Sequence, residues 1–142
     1  MMTAFQACQR ESWLSINPQL TISAAGAGIC DVPSVGYDKG GFDGSAHSDR
    51  FWQDGYFLID DLLPVESLAQ LRTGIETLVV NGLPPAMIYL YDEAWQIFMR
   101  LRPLLTHFLG DRVKLLPHFW AWHVDPGQGG RGWPPHRDYQ GE

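Results

Sequence analysis

The order of patterns along the chain predicts an α+β fold. Three observations carry that prediction. Residues 48–61, "SDRFWQDGYFLIDD", read as a short helix, an Asp54-Gly55 turn and a strand in which Tyr56, Leu58 and Asp60 alternate with Phe57, Ile59 and Asp61. Residues 64–110 hold two apolar stripes at helical spacing. Residues 113–124, "VKLLPHFWAWHV", are dense in the aromatic and β-branched side chains that suit a pleated surface.

Each element has its own local signal. Residues 1–48 are rich in Ala, Ser and Gly ("SAAGAG") and sustain neither a period of 2 nor one of 3.6. They are expected to form a loosely ordered lead-in outside the compact core, with one short element near Trp13 to Leu20. Pro64 opens the first long helix, where its missing N–H costs least. Leu68, Leu71, Ile75 and Leu78 form the stripe of that helix, and Asn81-Gly82 closes it. "LPPAMIYLY" reads as a linker running into a short extended piece. Asp92 then caps a second helix with Ile97, Phe98, Leu101, Leu104, Leu105 and Phe108 on one stripe, and Gly110 ends it. Pro103 lies inside that stripe and predicts a kink or a break into two helices. After the late strand, "DPGQGGRG" is a loop. Pro134 and Pro135 exclude both a helix and an interior sheet position just before His136.

Composition narrows the function classes. A chain of 142 residues, 45% hydrophobic and 18% charged, fits one globular domain. Its formal net charge of −6 lacks the basic footprint that neutralises phosphates, so nucleic acid is not an expected partner. No apolar run approaches the roughly 18 residues of a membrane span, and no basic-then-apolar secretory signal opens the chain. Cys8 and Cys30 form no C-x-x-C pair, which points to a reducing, cytoplasmic setting. Six Trp are plentiful for this length, and such rings fill cores or line pockets for flat, apolar ligands.

The chemistry-bearing residues gather near the C-terminal end. On an extended segment, side chains two apart share a face, about 7 Å apart along the chain. His136 and Asp138 therefore project together and can reach one ion. An imidazole and a carboxylate are two-thirds of the facial triad that suits non-haem Fe(II). The same spacing recurs at His123 and Asp125, the alternative metal pair, although Asp125-Pro126-Gly127 is also ordinary turn chemistry. On the preceding strand His118 shares a face with Trp120 and Trp122, while His123 shares the other with Phe119 and Ala121. Such aromatic faces are more often core than pocket. His107 is accounted for by a favourable contact with a helix C-terminus. "GQGGRG" lacks the Lys-Ser/Thr and helix of a phosphate cradle, and Asp60 and Asp61 need only capping and solvation. No Ser/His/Asp or Cys/His arrangement suited to nucleophilic catalysis stands out.

Two stretches, "FWQDGYFLIDDLLPVESLAQLR" and the later "W-x-P-H-x-D-Y", resemble the phytanoyl-CoA dioxygenase-like branch of the Fe(II)/2-oxoglutarate oxygenases, over Phe51 to Tyr139. The resemblance implies helices packed on a double-stranded β-helix (jelly-roll) core occupying residues 49–142, incomplete after the first metal-binding strand. It implies His136 and Asp138 as the first two Fe(II) ligands, with 2-oxoglutarate as co-substrate bordered by His118 and Trp120. Retention of Asp138 implies hydroxylation of a small-molecule substrate, since halogenating relatives carry a small residue there. Arg137 departs from the Gln often found between the ligands. The family's distal His and its basic 2-oxoglutarate-binding residue follow well downstream, whereas only Tyr139 to Glu142 follow Asp138 here. The chain is accordingly expected to be the N-terminal part of a longer oxygenase, inactive alone and prone to self-association through unpaired sheet edges. The competing readings are a non-catalytic, β-rich remnant or binding module and, further off, a cupin-like metal protein.

Overall fold

The computed structural model describes residues 7, 9–23, 44–110, 112, 120–124, 127, 134 and 136. Its regular elements are helical: α1 (Arg10–Ile16), α2 (Ser45–Asp54), α3 (Val65–Val80), a 3-10 helix (Pro85–Leu90) and α4 (Asp92–Leu109). Among the described residues there is no strand and no sheet, which overturns the expected α+β architecture and its jelly-roll core. The physical reason is clearest at Tyr56 to Asp61. Phe57 packs against Phe51 and Phe108, with ring centroids 5.7 and 4.9 Å away, while Tyr56 and Leu58 face solvent. In-and-out alternation of this kind belongs to any connector laid over a core, and here the chain turns at Asp60-Asp61 instead of pairing. Asp61 has a φ of 58°, in the left-handed region that Asp tolerates better than most residues. Of the expected late strand, residues 113–119 lie outside the described residues, and 120–124 are not in a strand.

The helices follow their sequence signals more closely. Gly55, at φ 78°, accepts the left-handed turn that ends α2, and its N–H donates to the Phe51 carbonyl. Pro64 is the N-cap of α3, and Asn81 closes it. Along the stripe of α3, Leu78 is fully buried, Leu71 and Ile75 pack against the core, and Leu68 remains 43% exposed at the open end. The segment expected to be extended, 85–90, winds instead into the 3-10 helix, with two prolines at its entry to supply helical φ without needing donors. Helix α4 runs unbroken past Pro103. Pro103 is on the solvent side, where the carbonyl it leaves unbonded can be hydrated.

The N-terminal expectation is corrected too. Far from lying outside the compact core, residues 10–22 supply Trp13, Leu20 and Ile22 to it, beside Leu78, Ile88, Tyr91 and Ala94. The Arg10 guanidinium donates through Nε and Nη2 to the Ile22 carbonyl at 2.8 and 2.6 Å, closing this segment on itself. Asn17, fully buried, donates from Nδ2 to the Gly74 carbonyl at 3.3 Å and accepts from Gln19. The Tyr91 hydroxyl donates to the Trp13 carbonyl at 2.7 Å. At the rim, Thr21 and Ser23 give their backbone N–H groups and hydroxyls to the carboxylates of Asp92 and Glu93, while Asp92 N–H donates to the Thr21 carbonyl. Those two carboxylates also stand in the first turn of α4, where negative charge is favoured. A short element near Trp13 is therefore present, but as an integral part of the core.

At Gly74 this segment lies close against α3. A Cβ built there would stand 2.7 Å from Leu20 Cδ1 and 2.9 Å from Ile88 Cδ1. In a free helix, Gly→Ala gains about 1 kcal/mol. Overpacking at a closed contact costs about 1–3 kcal/mol. Both atoms are side-chain ends, but Leu20 and Ile88 are themselves buried and have little room to swing aside, so Gly74→Ala is expected to lower stability by about 1 kcal/mol in urea unfolding. A variant more stable than the parent would show that the N-terminal segment does not close on α3.

Candidate functional site

The helical body carries the run that leads toward the candidate ligands. Tyr89, in the 3-10 helix, is held by the Trp95 indole N–H, which donates to its carbonyl at 2.8 Å, and by tilted contacts with the Trp95 and Phe98 rings. Its hydroxyl in turn donates to the Trp120 carbonyl at 2.9 Å. Ala121 packs against the core beside it. The segment 120–124 is thereby seated on the junction of the 3-10 helix and α4, with the Trp120 side chain 68% exposed. Among the residues expected to border a co-substrate, Trp120 is thus anchored by its backbone while its ring faces outward; His118 lies outside the described residues.

His136 is described and exposed. Its Nδ1 lies 2.9 Å from the Pro134 carbonyl oxygen. A carbonyl oxygen only accepts, so the contact requires the proton on Nδ1. In the neutral ring the lone pair then resides on Nε2. Metal-binding imidazoles are oriented in just this way, one nitrogen donating to a backbone carbonyl and the other turned to the ion. The Nδ1 contact of His136 is compatible with that orientation. Its expected partner Asp138 lies outside the described residues. Of the alternative pair, His123 is exposed on the Trp120 segment and Asp125 lies outside the described residues. With both aspartates outside, the described residues contain no group of three or more His, Cys, Asp or Glu able to hold a metal.

One contact escaped the sequence reading and has the look of chemistry. Ser48 Oγ lies 2.9 Å from His107 Nε2, joining the first half of α2 to the last turn of α4 across 59 residues. Ser48 Oγ also donates to the Gly44 carbonyl at 3.0 Å. A hydroxyl has one proton, and Gly44 takes it. His107 Nε2 must then be the donor to Ser48, the reverse of a nucleophile handing its proton to a base. Around it, Phe51, Phe57 and Phe108 form a tight aromatic cluster, and His107 stands edge-on to Phe108. The pair is a clasp between helices. No local motif could have revealed it, because Ser48 and His107 carry no spacing signal of their own.

Two phenols are perturbed. Burial pushes Tyr89 above its ordinary value of 10.0. Burial likewise raises Tyr91, with the Glu93 charge adding to the effect and the Asn17 side chain opposing it. Since the folded state holds both phenols above their unfolded value, their contribution to stability is complete below pH 10 and disappears as pH rises through the raised values. The phenolate absorbance that Tyr89→Phe and Tyr91→Phe remove should therefore develop above pH 10 in an alkaline titration. Phenolate from either residue at or below its ordinary value in a folded chain would contradict this burial.

Among the described residues, no helix is long and apolar enough to cross a membrane. No family model matches this chain, and neither does any curated protein or solved structure.

Proposed function

We propose that this chain belongs to the non-haem Fe(II)/2-oxoglutarate-dependent dioxygenases of the phytanoyl-CoA dioxygenase-like kind, and that His136 and Asp138 are two of its iron ligands. The observation that carries the reading is the His136 Nδ1 contact with the Pro134 carbonyl, which in the neutral ring puts the lone pair on Nε2, one of the two nitrogens through which a histidine can bind a metal. The sequence "WPPHRDY" adds a carboxylate two residues on, the hard oxygen donor that complements imidazole at Fe(II). Bound iron would supply activation of dioxygen alongside decarboxylation of 2-oxoglutarate, leading to hydroxylation of a small-molecule substrate. The chain's own part is to fix the imidazole tautomer at His136 and to offer the Asp138 carboxylate. Tyr89 holds the backbone of Trp120, on the segment that also carries His123.

Mn(II) titration followed by electron paramagnetic resonance tests the assignment on the 142-residue chain. Two ligands hold a divalent ion weakly, so saturation is expected only at high metal. Asp138→Ala and His136→Ala should each weaken that binding by about tenfold or more, while Asp125→Ala and His123→Ala leave it unchanged. Loss of binding in the second pair alone would move the metal to His123 and Asp125. Indifference to all four substitutions would remove the iron reading.

A further inference from the structure

We draw no further inference here: the strongest candidate, the exposed apolar surface patch of Trp120, Trp122 and Val124 on the segment seated by Tyr89, carries nothing because nothing in the structure shows what covers it.

Discussion

Trp13→Ala is expected to cost about 3–5 kcal/mol, against the about 5–15 kcal/mol by which domains of this size are usually stable. The indole is only 8% exposed and belongs to the same cluster as Leu20, Ile22, Leu78 and Tyr91. Its Nε1 donates to the Ala7 carbonyl at 3.0 Å, so truncation removes a hydrogen bond as well as packing. Helix α1 has only seven residues and cannot persist without that anchor. When it loosens, the Trp13 carbonyl moves away from the Tyr91 hydroxyl, and a fully buried phenol loses that hydrogen bond. That loss adds to the cavity. Leu109→Ala is the fitting control, since Leu109 is exposed and surface changes of this kind stay within about 0.5 kcal/mol. Urea unfolding of the two variants beside the parent decides the matter. A Trp13→Ala midpoint close to that of Leu109→Ala would mean that the N-terminal segment lies on the core without completing it.

The 142-residue polypeptide is expected to form no succinate from 2-oxoglutarate above buffer controls, in the presence of Fe(II), ascorbate and candidate substrates. The expectation rests on the proposed iron reading. Catalysis at a facial triad needs three protein ligands fixed in geometry, with the remaining positions open for co-substrate and dioxygen. Besides the pair His136 and Asp138, the family resemblance assigns none of these 142 residues as a third ligand. The expected change is therefore complete absence of turnover. Succinate formed by purified monomer, and abolished by Asp138→Ala, would show that a residue such as His118 or His123 completes the set. Turnover that survives Asp138→Ala would place the iron elsewhere.

The stretches where sequence reading succeeded share a property: their signal is local. Helix α3 was legible from Leu68, Leu71, Ile75 and Leu78 with Pro64 before and Asn81-Gly82 after, because spacing and termini agree. The end of α2 at Gly55 and of α4 at Gly110 were legible for the same reason. Residues 10–22 were not. Trp13, Leu20 and Ile22 have no common period, since they come from a short helix, a turn and a return strap, and only the tertiary surface of α3 and α4 puts them together. Tyr56 to Asp61 misled in the opposite sense, by showing alternation without a strand to pair with. Pro103 does not break α4 in two, because a proline's cost depends on which side of the helix it faces, and sequence does not state the side. At the candidate site, the residue type and spacing of His136 were legible, but the Nδ1 contact with Pro134 needed coordinates. The Ser48–His107 clasp and the Thr21–Glu93 bonds join residues 59 and 72 apart, and no window of sequence contains both ends.

The bond from Tyr91 to the Trp13 carbonyl spans 78 residues and has a consequence for biosynthesis. A ribosome adds about 5–20 residues per second, so Trp13 is made several seconds before the tyrosine that will cover its backbone. Throughout that interval Leu20 and Ile22 have neither Gly74 nor Ala94 to rest against, and they travel as apolar bait on a nascent chain. Closing so long a loop is also slow relative to pairing neighbours, which delays the core further. The same residues that complete the core of the finished molecule are thus exposed while it is being born, and a cell short of chaperones should lose this protein at that stage.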